Sequence, residues 1–100
     1  MLSAIKKLFS SEPKVDFGEL IANKAVILDV RTKEEYQGGH IKGSINIPLQ
    51  SLNAQLSKLK KDKVIITCCA SGGRSSVAKR ILKSNGFENV HNAGSWTNLR

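Results

Sequence analysis

Seven consecutive residues, Cys69-Ala70-Ser71-Gly72-Gly73-Arg74-Ser75, have the makings of an anion cradle around a thiol. Gly72 and Gly73 let backbone amides converge on one point, and convergent amides at a helix start bind negative charge. The same field lowers the pKa of a cysteine held there, giving the thiolate that acts as nucleophile. Arg74 adds a fixed cation close by. A plainer reading is a buried structural cysteine ahead of an ordinary glycine turn, but that asks for neither Arg74 nor Ser75. Asp29 and Arg31 form a second polar group, suited to an ion pair or to hydrogen bonds that brace loops more than to catalysis.

Such groups act only if rigid elements deliver them. Ala25-Val26-Ile27-Leu28-Asp29-Val30 and Val64-Ile65-Ile66-Thr67-Cys68 are continuous β-branched runs, the pattern of strands buried on both faces. Ser44-Ile45-Asn46-Ile47 reads as a brief strand stopped by Pro48, and Glu88-Asn89-Val90-His91 as a last short one. Asp16 with Glu19, and Thr32 with Glu35, read as capping boxes that open two short helices, the second ended by Gly38-Gly39. Leu52, Leu56 and Leu59 keep helical spacing from Ser51, with Leu49 as a staple. Ser75 opens a helix carrying Val77, Ala78, Ile81 and Leu82, with Gly86 as its C-terminal glycine. Trp96 and Leu99 suggest a closing turn, with Trp96 a core plug rather than a ligand platform. Alternating strands and helices predict an α/β fold with a mostly parallel central sheet of four to five short strands flanked by helices. In such sheets reactive groups gather at the carboxyl ends of strands, which points to Asp29-Val30-Arg31 and to Cys68-Cys69.

The chain has 100 residues, enough for one small domain, and its 40% hydrophobic content is that of a globular protein. Residues 15–100 read as the domain and residues 1–14 as a short amphipathic or flexible segment, a loosely docked helix in preference to a membrane-surface anchor. No apolar run is long enough to span a bilayer, so no stable membrane insertion is expected. Adjacent Cys68 and Cys69 suit neither disulfide stapling nor a structural zinc set, so no metal is expected and a reducing cytoplasm fits best. Sixteen Lys and Arg stand against eight Asp and Glu, a net charge of +8. Residues 51–100 hold nine of the bases and two of the acids, so nearly all the excess lies in the half with the thiol. A positive field at that loop should gather anions and give rates that fall with salt.

The loop resembles that of the rhodanese-like sulfurtransferases, typically Cys-x-x-Gly-x-Arg-Ser between strand and helix, matched here by Cys69, Gly72, Arg74 and Ser75. A second stretch is similar as well: Asp29-Val30-Arg31, then Glu35-Tyr36-Gln37-Gly38-Gly39-His40-Ile41-Lys42-Gly43-Ser44-Ile45-Asn46-Ile47-Pro48. With Asn85-Gly86-Phe87-Glu88-Asn89-Val90 and the late Trp96, the resemblance covers roughly residues 15–99. It implies a persulfide mechanism. The Cys69 thiolate attacks the sulfane sulfur of thiosulfate or a persulfide, then passes it to cyanide in an assay, or to a thiol or carrier protein in a cell. The amides of Ala70, Ser71, Gly72, Gly73, Arg74 and Ser75 hold the terminal sulfur and the anionic donor, and no metal or organic cofactor is needed. The implied partners are small sulfur anions, then an acidic sulfur-carrier or thiol protein. With five aromatics and no recognised motif, nucleic acid is not expected.

The chain departs from the pattern at Lys42, where proline is common, and at Cys68, where an aromatic or aliphatic residue is usual. Cys68-x5-Arg74-Ser75 is also the spacing of cysteine phosphatases, so a phosphatase or arsenate reductase built on Cys68 is the first alternative. Gly72 in the sulfurtransferase register, Thr67 in place of the phosphatase histidine, and Cys68 inside a buried strand favour Cys69. Cys68 is then a small core residue, a resolving thiol reached through oxidation of Cys69, or the nucleophile, in that order. His40 invites a general-base reading, but its family position suggests a structural histidine bonded to loop backbone. His91 looks like a surface strand residue. The second alternative is a basic binding module for an acidic partner, with the thiol incidental.

Overall fold

The structure, a computed structural model, describes residues 15–100. The amphipathic segment expected in residues 1–14 lies outside the described residues. The two β-branched runs become β1 (Val26–Asp29) and β3 (Ile65–Cys69) at the centre of a sheet. They are flanked by β2 (Ile45–Asn46) and β4 (Val90–Ser95) in the order β2-β1-β3-β4, every pair parallel. The expected parallel sheet is thus present with four strands. All five residues of β3 and three of the four in β1 are buried, as strands covered on both faces must be.

The covers come from both sides. On one face α3 (Gly73–Ser84) and a 3-10 segment (Leu49–Lys58) pack over Leu28, Val30, Ile47, Ile65 and Phe87. On the other, α1 (Phe17–Ala22) and a closing 3-10 turn (Trp96–Leu99) cover Ile27, Ile66, Cys68 and Ala93. From β1 the chain runs to β2 on one side, then crosses to β3 on the other. The loops therefore part between the carboxyl ends of β1 and β3, the switch point where open α/β sheets hold ligands.

Four local features differ from expectation, each for a physical reason. The segment with Leu49, Leu52, Leu56 and Leu59 is 3-10 rather than α-helical, broken at Gln55 (φ −121°, ψ 17°). A 3-10 helix repeats every three residues, so Leu49 and Leu52 share a face. The break supplies the fourth residue that returns Leu56 and Leu59 to it, and all four pack into one cluster. Helix α3 opens at Gly73, not Ser75, because Gly72 takes φ +110° and turns the chain from strand to helix directly. β4 runs on to Ser95, past the expected His91. A bulge at Ala93 shifts its register from Thr67↔Asn92 to Cys68↔Gly94, and a bulge with Gly and Asn hides a strand from alternation rules. In α1 only the Asp16 half of the capping box is made. The Thr32–Glu35 box at the start of α2 (Lys33–Gln37) is complete. At the end of α3 the Phe87 and Gly86 amides donate to the Leu82 and Lys83 carbonyls, a Schellman ending with Phe87 packed in the core beside Leu82.

Candidate active site

Side chains along a strand alternate between faces, and this separates the two cysteines. Cys69 is the last residue of β3 and turns to the α3 face, whereas Cys68 turns to the α1 face among Ile27, Ile66 and Ala93. The Gly72 amide donates to the Cys69 sulfur at 2.9 Å, and the sulfur lies 3.3 Å from the Ser75 hydroxyl. That hydroxyl donates in turn to the Gly72 carbonyl at 3.1 Å. Burial alone would push the Cys69 thiol up. The Ser75 hydroxyl and the amides of Ser75, Gly72 and Ser71 outweigh it, and the pKa falls below the ordinary thiol value. The loop is thus arranged to stabilise negative charge on one sulfur. Cys69 is only 1% exposed, which leaves room for the approach of a terminal atom rather than a bulky group. Cys68 is fully buried. Desolvation, with Asp29 nearby, pushes its thiol up to about 12 against the opposing pull of Arg31, so it keeps its proton.

The remaining loop residues divide by position. Ala70 and Ser71 are exposed at the tip, and Gly72 caps the helix. Gly73 and Arg74 lie in the first turn of α3, and Ser75 is buried beneath it. Thr67 Oγ1 donates to the Ser75 carbonyl at 2.9 Å and ties the strand to that turn. Gly94, beside the β4 bulge, comes so close that a Cβ on Gly72 would stand 3.5 Å from its Cα.

The Arg74 cation is fixed by a carboxylate. Its two terminal nitrogens donate to the two Glu35 carboxylate oxygens at 2.7 and 3.0 Å. Arg74 and the Thr32 amide hold the Glu35 carboxyl down at about 2. A cation in the first turn of a helix opposes the helix dipole, and Glu35 offsets that cost.

Asp29 and Arg31 form the buried ion pair, 2.7 Å apart. The Arg31 guanidinium also donates to the carbonyls of Gly39 at 2.7 Å and Glu35 at 3.3 Å, and it lies 4.6 Å from the Trp96 ring centre. A positioning chain results: Asp29 fixes Arg31, Arg31 fixes α2, and α2 presents Glu35 to Arg74. Asn46 extends the brace by donating to the carbonyls of Asp29 and Arg31, both at 3.0 Å. His40 donates from Nδ1 to the Tyr36 carbonyl at 2.7 Å and stacks on the Tyr36 ring, the loop-bracing arrangement. His91 is half-buried rather than on the surface; burial, then Lys79 and Lys83, lower its pKa. Trp96 is half-buried against the α1-face cluster, with Arg31 and Arg100 over its ring. In the sequence Glu35 is a cap and a motif residue, and Asn46 belongs to a brief strand and the same motif. Their partners lie far along the chain, so only the fold joins them.

Three of the lysines of residues 51–100 lie away from the thiol loop. Lys58, Lys60 and Lys63 line a hollow with Val26 and Ile65, the first residues of β1 and β3. That is the amino end of the sheet, a strand length of roughly 15 Å from the thiol and beyond the screening length at physiological salt.

A model of the rhodanese-like domain family matches residues 15–99. The thiosulfate sulfurtransferase PspE of Escherichia coli (strain K12) is 39% identical over 74 residues, covering 72% of this chain and 71% of PspE. The uncharacterized protein YqhL of Bacillus subtilis (strain 168) is 38% identical over 69 residues, 69% of this chain, and the chain spans about half of its length, 55%. A solved structure described as a rhodanese with anions from E. coli has a TM-score of 0.69 and 34% identity, covering 74% of this chain and 89% of that one.

Proposed function

The chain belongs to the rhodanese-like domain family, and from that premise we propose that it is a sulfurtransferase working through a persulfide on Cys69. One observation carries the reading: the Cys69 sulfur sits under the Gly72 amide and the Ser75 hydroxyl, its pKa lowered. The thiolate attacks the outer sulfur of thiosulfate or a persulfide. A new S–S bond forms, and sulfite or a thiolate leaves with the electron pair. An acceptor thiolate, or cyanide in an assay, then takes the sulfur and returns the Cys69 thiolate. Attack of one sulfur on another follows the rules of thiol–disulfide exchange, in which a thiol pKa near ambient pH serves best. No metal or organic cofactor enters these steps. Ala70, Ser71, Gly72, Gly73, Arg74 and Ser75 form the substrate loop. Asp29, Arg31 and His40 support it, and Cys68 fills the core.

The proposed partners are small sulfur anions, then an acidic sulfur-carrier or thiol protein, and two free thiols suit the cytoplasm. PspE, a thiosulfate sulfurtransferase, supports the donor. No helix among the described residues is long and apolar enough to cross a membrane. A phosphatase on Cys68 gains no support, since that thiol keeps its proton on the face away from the loop.

Incubation with thiosulfate tests the reading, with sulfite release and intact mass as readouts. Wild type and Cys68→Ser are expected to gain one sulfur, and Cys69→Ser none. Sulfur retained by Cys69→Ser sinks the proposal.

A further inference from the structure

A hollow of about 240 Å³ opens at the carboxyl end of the sheet, lined by Val30, Thr32, Pro48, Leu49, Gln50 and Arg74. Two of its residues tie it to the thiol site. Arg74 belongs to the helix turn that holds Cys69, and Val30 packs in the same cluster as Cys69 on the same face of the sheet. Its wall is pinned to that site. The Val30 amide donates to the Cys68 carbonyl at 3.0 Å, and the Leu49 amide donates to the Val30 carbonyl at 3.1 Å.

The lining does not match a bare sulfur oxyanion. Val30, Pro48 and Leu49 give hydrocarbon, and the one cation, Arg74, is engaged on both prongs by Glu35. An inorganic anion gains nothing from hydrocarbon and is served by the loop amides alone. An aliphatic stem gains from every methylene it buries there, and Thr32 and Gln50 offer hydrogen bonds to a neutral polar group at its end.

Building on the Cys69 reading, we infer that this hollow takes the stem of the sulfur acceptor, a small organic thiol with a short aliphatic chain and a neutral polar end. Its thiolate attacks the outer sulfur of the Cys69 persulfide. The acceptor–sulfur bond forms, the bond to Cys69 Sγ breaks, and the electron pair stays on Cys69 as thiolate. The organic persulfide departs with no net oxidation or reduction.

The two half-reactions are tested apart. Protein loaded with thiosulfate, desalted and checked for one added sulfur is mixed with cyanide or with N-acetylcysteamine, a thiol with a two-carbon stem and an amide. In Leu49→Asn the ratio of the two rate constants, thiol over cyanide, is expected to fall about tenfold, the worth of roughly two buried methylenes. Gln50→Trp, which fills the hollow from an exposed position, is expected to do the same and serves if Leu49→Asn fails to fold. An unchanged ratio in a folded variant that still loads overturns the inference. A wild type that takes no sulfur from thiosulfate overturns the Cys69 reading instead.

Discussion

Cys68 and Cys69 stand one position apart, yet strand alternation sends one sulfur into hydrocarbon and the other to the Gly72 amide and the Ser75 hydroxyl. Solvation does the rest, raising the first pKa and letting hydrogen bonds lower the second. Alternation also opposes a Cys68–Cys69 disulfide, because the two sulfurs lie on opposite sides of the sheet. The contrast predicts a pH dependence of stability. Folded Cys68 holds its proton up to about 12, whereas an unfolded thiol releases it near 9.0. Below that lower value the contribution of Cys68 is complete. Above it the unfolded chain binds fewer protons, and stability falls as pH rises, by up to about 1.4 kcal/mol per pH unit. Cys68→Val removes this slope. Urea midpoints at about pH 8 and about pH 10.5 should separate more in wild type than in the variant, and equal separations would contradict the assignment.

The turn from β3 into α3 brings a backbone donor to the Cys69 sulfur. Gly72 bends at φ +110° so that its amide reaches Cys69 within three residues, and the β4 bulge brings Gly94 beneath it. Gly86 also needs a left-handed conformation, φ +89°, but it ends α3 at the far side from the loop. Alanine at either site therefore strains the backbone by about 1–2 kcal/mol. Only Gly72→Ala should also slow sulfur loading from thiosulfate, by tenfold or more as the amide leaves the sulfur. Gly86→Ala should lower the thermal midpoint and keep the loading rate. Similar loading by both variants would mean that the amide is not needed.

Across the described residues, the lysine cluster of Lys58, Lys60 and Lys63 and the thiol part company. The strands run parallel, so the lysines that precede β3 lie at its amino end and the thiol at its carboxyl end. Arg31 and Arg74, the arginines of the motif, are each paired with a carboxylate. In the proposed function the loop holds its anionic donor through amides, whose short-range bonds are little screened by salt. The rate of sulfur loading should fall by less than about threefold between 0.05 and 0.5 M salt, and Gln in place of Lys58, Lys60 and Lys63 should leave it unchanged. A steep salt dependence, lost in that triple variant, would restore long-range steering as the cause.

Much was legible in the residues themselves. The β-branched runs, the Thr32–Glu35 cap, the glycine ending of α3 and the thiol loop are short-range patterns, set by propensity, capping and glycine's freedom within a few positions. Sequence alone thus determined the fold class and the loop around Cys69. It did not show that Glu35 holds Arg74 across 39 positions, that Asn46 braces Asp29, or that Lys58, Lys60 and Lys63 sit at the opposite pole. The 3-10 winding of residues 49–58 and the length of β4 also waited on packing, because a break at Gln55 and a bulge at Ala93 disguise both periods. Such contacts follow from which strands become neighbours and which face each side chain takes, and only the tertiary structure decides that.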